Sequence, residues 1–315
     1  TGDGELRLFP FELFLAGSYD TPGQSNDVVV AGDYAFIADA SSGLQVIDIS
    51  EPTNPTLAGT YNTSGSALGV AVAGDHAFVA DFFSLQVIDI SDPTSPTLAG
   101  SYNTSGSALG VAVAGDHVFV ANGTSGLLVI DISDPTNPAL AGSYDTSGNA
   151  NGVAVAGNHA FVADATQGLQ VIDISDPTSP ALVGNYDTSG DAMDVAVAGD
   201  HVFMAYGTSG LQVIDISDPT APAFAGSYDT SGFAFSVAVD GDNCYMGTGS
   251  GSIEVLDVSD PSSPTLAHSL GGLGTVRGLC VAGEYAYLGA SAAGLQVVKV
   301  ANAIANPLLA GSYNT

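Results

Sequence analysis

One block of about 42 residues is written seven times along this chain, and no other feature limits its fold as tightly. The phrase LQVIDIS returns as LQVIDIS, LLVIDIS, LQVIDIS, LQVIDIS, IEVLDVS and LQVVKV. Its fifth residue is Asp48, Asp89, Asp131, Asp173, Asp215, Asp257 and finally Lys299, at intervals of 41 and then 42 residues. A period of roughly 40 to 50 residues means stacked supersecondary units, each of which needs its neighbours to bury its apolar faces. Copying also brings polar residues in sets, so a side chain present in every unit serves the architecture before it serves any single reaction.

Residues 110–144 show what one unit contains. Val111 and Val113 alternate with Ala112 and Ala114, and Gly115-Asp116 is a turn signal. His117 to Ala121 is a second β-prone run, broken by Asn122-Gly123 and Gly126. Leu127 to Ile132 is a third, rich in β-branched residues, and Asp134-Pro135 opens a turn with the residues a type I turn prefers at its first two positions. Ala139 to Tyr144 is a fourth. Four short strands per unit, with no helical periodicity, predict the blade of a seven-bladed all-β propeller made of four-stranded antiparallel sheets. The VAVAG run suits the crowded centre, followed outward by HAFVAD, LQVIDIS and LAGSYDT. Along the third strand, Leu127, Val129 and Asp131 alternate with Leu128, Ile130 and Ile132, so both faces are apolar, as in a sheet packed between two others.

VIDIS flanked by VAVAGDHAFVAD and DPTSP resembles the LVIVD-repeat family, over roughly residues 15–315. The resemblance implies a β-propeller, a bacterial or archaeal surface or secreted location, and no assigned catalytic activity. The second unit departs from the pattern, with Phe82-Phe83-Ser84 replacing a Gly-containing turn and one residue lost. The last unit departs as well, with Lys299 in the Asp position and a loose turn at Asn306-Pro307.

The charge balance excludes whole classes of function. There are 33 acidic residues against three cations, Arg7, Arg277 and Lys299, for a net charge of −30. Nucleic-acid binding needs clustered cations and is excluded, and anionic membrane surfaces repel the chain. No stretch is long and apolar enough for membrane insertion. Diffuse screening by cations and specific Ca2+ sites are both open. The sequons at Asn62, Asn103 and Asn122 are candidate glycosylation sites in a secreted protein. Cys244 and Cys280 fall in adjacent units, and the choice is between a disulfide and two buried thiols.

Several residue sets have the composition of chemical sites. His76, His117, His159 and His201 occupy one position in four units, but such positions fan outward to on the order of 10 Å or more, too far for a shared metal, and predict turn residues. Asp39, Asp81 and Asp164 end the second strand, with Asn122 and Tyr206 in matching slots, and predict turn caps. The Asp48 series predicts partly buried carboxylates satisfied by backbone donors. The channel border reads Asp27, Gly69, Gly110, Gly152, Asp194, Ser236 and Gly278, with no nucleophile, base and orienter together. Asp27 and Arg277 meet where the last unit abuts the first and predict an ion pair locking the ring seam.

The LAGSY phrase is in surplus. It stands at 15–19 and again at 309–313, besides its copies inside the units. The expected division is an apolar arm over residues 1–21 and a propeller over 22–315, with the C-terminal copy completing unit seven. The arm carries Phe9, Phe11, Leu13, Phe14 and Leu15. It either folds back over its own propeller, or closes the ring and frees the C-terminal copy, or adds to a neighbouring molecule in head-to-tail assembly. The expected role is a non-enzymatic extracellular or cell-surface structural and interaction protein without cofactors, whose partners are copies of itself or other surface proteins. A glycan- or Ca2+-binding adhesion module is the alternative, favoured by exposed aromatics at one mouth, and a propeller-hosted enzyme is the second.

Overall fold

The computed structural model describes residues 13–187 and 190–300. They form seven four-stranded antiparallel sheets arranged as the blades of a β-propeller. Blade three consists of Gly110–Ala114, His117–Ala121, Leu127–Asp131 and Ala139–Tyr144, in that order from the centre outward. Its register places Gly110 against Ala121, His117 against Asp131 and Leu127 against Tyr144. A bulge where the outermost strand passes Val129 and Ile130 adds twist at the rim, and it recurs in every blade.

The core is divided between the blades. Leu127 and Val129 pack against Ala150, Val153, Ala160 and Val162 of blade four. Leu128 and Ile130 from the same strand pack against Phe78, Ala80, Leu85 and Val87 of blade two. Alternate side chains of one strand therefore feed two different clusters, and seven such clusters hold the described residues together. At the rim, Gly142 of the LAGSY strand has no room for a β-carbon, which would lie 2.4 Å from the Pro177 carbonyl oxygen in the next blade's DPTSP turn. Gly17, Gly59, Gly100, Gly184 and Gly226 make the same approach. The two most repeated surface phrases are thus the two halves of one inter-blade contact.

The N-terminal LAGSY copy closes the ring. Phe14–Tyr19 pairs antiparallel with Leu295–Lys299 and completes the blade formed by Gly278–Ala282 and Tyr285–Gly289. Residues 14–19 belong to the propeller, so the expected boundary after residue 21 and the expected completion of unit seven by the C-terminal copy are both corrected. Phe14 and Leu15 are spent in this strand, and Leu13 packs on the cluster between blades six and seven. The arm's Phe9 and Phe11, and the copy at 309–313, lie outside the described residues. A strand in this place joins residues 14–19 to residues 278–299 in one sheet, and the ring cannot open without breaking its ladder.

The cysteines are two free thiols. Cys244 packs toward blade five, among Phe203, Leu211 and Val213, whereas Cys280 packs toward blade one, beside Val28 and Ile37. Adjacent blades do face each other, but these sulfurs sit on the faces turned away from their shared boundary. Burial raises both thiol pKa values, that of Cys280 to about 12.

Candidate functional site

Antiparallel pairing puts the start of each first strand and the end of each second strand at the same end of the propeller. This end is the mouth of the central channel. The cavity there, about 620 Å3 counting its open top, is lined by one residue from each blade: Asn26, Leu68, Leu109, Asn151, Met193, Phe235 and Arg277. Backbone bonds to the second strand fix several of these positions, for example Asn26 N–H to Ala38 at 2.8 Å and Arg277 N–H to Gly289 at 2.9 Å. The ring is one residue earlier in each unit than the border read from the sequence. The signal for it was present: seven nearly identical units carry five different residue types at this one position.

The anticipated border lies just beneath. Gly278 is required there, because a β-carbon would meet the Asp27 Cα at 2.5 Å, and Gly110 would meet the Asn151 carbonyl oxygen at 2.8 Å. Asp27 accepts hydrogen bonds from its own strand (Val28 N–H, 2.8 Å) and from blade two (Val70 N–H, 2.9 Å). Asp194 does the same with Val195 at 2.8 Å and Val237 of blade six at 3.0 Å. Each carboxylate staples two innermost strands. Desolvation raises the Asp27 pKa to about 7, with repulsion from Asp194 adding to it, and desolvation raises that of Asp194 to about 6.

The expected Asp27–Arg277 ion pair does not form. Among the described residues the salt bridge present is Lys299–Glu284, at 3.4 Å. Asp27 has turned to the backbone donors of blades one and two, and Arg277 reaches the other way, its guanidinium 5.3 Å from the centre of the Phe235 ring. Phe235 in turn stacks 4.7 Å from Phe233. Blade two adds Phe82 and Phe83 on the same face, ring centres 4.8 Å apart, with Phe83 67% exposed. Phe82 holds φ at 53°, a left-handed conformation that strains a bulky residue.

The repeated polar sets resolve into scaffolding. Asp39, Asp81 and Asp164 are fully buried and accept bonds from the loop that enters their blade: Thr21 and Gly23 for Asp39, Thr63 and Gly65 for Asp81, Thr146 and Gly148 for Asp164. They clamp blade to blade and are not the local turn caps expected. Asn122 in blade three is buried in the same slot, its amide 3.4 Å from the Ser105 hydroxyl, so burial denies that sequon a glycan in the folded protein. Asn62 and Asn103 are exposed. The Asp48 series is partly buried and accepts backbone bonds as expected, from Ser50 N–H at 2.9 Å and its equivalents, and for Asp48 the Ser50 hydroxyl and then that N–H lower the carboxyl pKa. His76, His117, His159 and His201 begin the second strands at the opposite end, each across from an Asp of the third strand.

The LVIVD repeat model matches residues 22–63, 64–104, 105–146, 147–188, 189–230, 231–270 and 273–315. The chain belongs to the LVIVD-repeat family. No curated protein matches the sequence. Among solved structures, this LVIVD-repeat propeller is similar to the β-propeller domain of Myceliophteria thermophila Cps50 (Swd1), with a TM-score of 0.75, 12% identity, and 92% of this chain and 100% of that one covered. BamB from Moraxella catarrhalis (TM-score 0.60, 15% identity, 91% and 97% covered) and the computationally designed Ika8 protein (0.68, 11%, 91% and 99%) are similar too. At these identities the likeness is one of fold.

Proposed function

We propose that this propeller is a non-catalytic recognition module, displayed outside the cell, that grips a partner protein at the channel mouth. One observation carries the reading. The seven units are near-copies, yet large aromatic and cationic departures gather on one face: Phe82 and Phe83 in blade two, Phe233 and Phe235 in blade six, Arg277 in blade seven. Copied residues maintain a scaffold; unlike residues gathered on one face, with Phe235 and Arg277 at its opening, make a recognition surface. The propeller scaffold is a protein-interaction module, and aromatic and Arg side chains are the types that carry binding energy in such interfaces. The mouth offers two carboxylates already satisfied by backbone and one guanidinium, without a nucleophile beside a base, which favours binding over chemistry. The extracellular setting rests on the family resemblance and on the exposed sequons at Asn62 and Asn103.

The test is capture from the native extracellular protein fraction by immobilised wild type, a Phe83→Ser/Phe235→Ala double variant, and His117→Gln at the opposite end. The reading expects bands retained by wild type and His117→Gln and lost by the double variant. Equal retention by all three would remove it. The aromatic pairs also favour a glycan as partner, the criterion set by the sequence, and prior deglycosylation of the fraction distinguishes that case. Self-association has its own support, since the phrase at 309–313 repeats a strand whose seat is filled by Phe14–Tyr19. A concentration series in sedimentation velocity, comparing the full chain with one ending at residue 300, reads it directly.

A further inference from the structure

The recognition reading leaves the chemistry of the partner open, and the mouth narrows it. We infer that the mouth takes a single carboxylate carried beside an apolar side chain on a polypeptide, with Arg277 as its counter-charge. This rests on the reading above and deepens it.

The argument begins with cations. The chain has three: Arg7 lies outside the described residues, and Lys299 is paired with Glu284. Arg277 is exposed at the mouth and makes no ion pair with any of the described residues. Its stacking on Phe235 uses no N–H donor, so the planar fork that binds carboxylates stays available. Leu68, Leu109, Met193 and Phe235 make up much of the surrounding ring. Apolar walls hold water back and strengthen an ion pair formed against them, and they suit the apolar neighbour of the bound carboxylate.

The carboxylates beneath do not neutralise the guanidinium. Both oxygens of Asp27 and both of Asp194 accept backbone N–H groups, and Arg277 points away from Asp27 toward blade six. They set a floor instead. Above pH 7, where both are ionised, their charge one residue deeper stops an anionic ligand at the level of Arg277. A phosphate, with up to two charges, meets only one cation here. The net charge of −30 further selects against any partner whose acidic group stands in an acidic stretch. One monoanion in a neutral or basic, partly apolar segment remains.

A carboxylate of this kind comes from an acidic side chain or from a chain's C-terminus. Three acetylated probes separate the sources: Leu-Ala with a free carboxylate, Leu-Glu-Ala amide with a side-chain carboxylate, and Leu-Ala amide with none. The chain's two arginines give two Nε–Hε signals in a 15N spectrum, and Arg277→Gln assigns them. The expected result is a saturable shift of the Arg277 signal by at least one carboxylate probe, at least tenfold tighter than the amide. Arg277→Lys should retain weakened binding, and Arg277→Gln should lose the accompanying shifts at Ser236 and Gly278. Equal response to all three probes, no response, or an equal shift at Arg7 would overturn the inference. If the probes fail while protein capture still depends on Phe235, the carboxylate assignment falls and the recognition reading stands.

Discussion

Asp27 and Asp194 occupy a position where the other five blades carry Gly or Ser, so the fold itself does not demand a carboxylate there. The pKa of each is raised in the folded chain, that of Asp27 to about 7 and that of Asp194 to about 6. A raised carboxyl favours the protonated folded state, so its contribution is fully present below the unfolded value near 4 and is lost as pH rises through 6 to 7. Replacing Asp27 by the Gly of blades two to four should therefore cost stability at pH 5 and cost less, or nothing, at pH 8. Thermal melts of both proteins across that range should show the gap narrowing with pH; a gap that is constant or widens contradicts the assignment. The sequence exposed Asp27 and Arg277 as unusual and their strands as neighbours. It could not reveal that two backbone N–H groups would outcompete the guanidinium, because rotamer choice depends on donors brought in by blade two. The same limit hid the role of Asp39, whose partners Thr21 and Gly23 belong to a different loop.

At the scale of the strand, legibility was high wherever the chain's own turn chemistry decided the outcome. Gly-Asp and Asp-Pro turns marked the ends of His117–Ala121, Leu127–Asp131 and Ala139–Tyr144 within a residue. Which LAGSY copy completes the last blade was not legible, since both copies carry the same five-residue phrase. The structure seats Phe14–Tyr19, with five paired positions and Gly17 against the Pro52–Pro55 turn of blade one. Starting the chain at residue 21 should cost about 2–5 kcal/mol in lost strand hydrogen bonds. Hydrogen exchange would then quicken through 278–299, next to the vacated edge, and unchanged protection there would contradict the closure.

For the molecule as a whole, the charge of −30 acts against compaction more than any single contact. Screening shortens from about 30 Å at 0.01 M salt to about 3 Å at 1 M, so the melting temperature should rise by several degrees over that range. Mg2+ and Ca2+ at equal ionic strength should raise it equally if screening is diffuse; a larger effect of Ca2+ alone would establish a specific site. The repeat made the number of blades readable at once, because period and strand count are properties of the unit. What distinguishes one unit from another was harder to see, since the mouth position is a single variable residue in each block of about 42.

Because Phe14–Tyr19 is the last piece of the seventh blade, order of synthesis and order of assembly run in opposite senses. A ribosome makes Phe14–Tyr19 more than 270 residues before it makes Leu295–Lys299, the strand with which it pairs. That early segment must be kept from pairing elsewhere until the other three strands of its blade have been made. A prematurely terminated product is then an unclosed arc with two raw sheet edges, the form that quality control and proteases are best placed to remove.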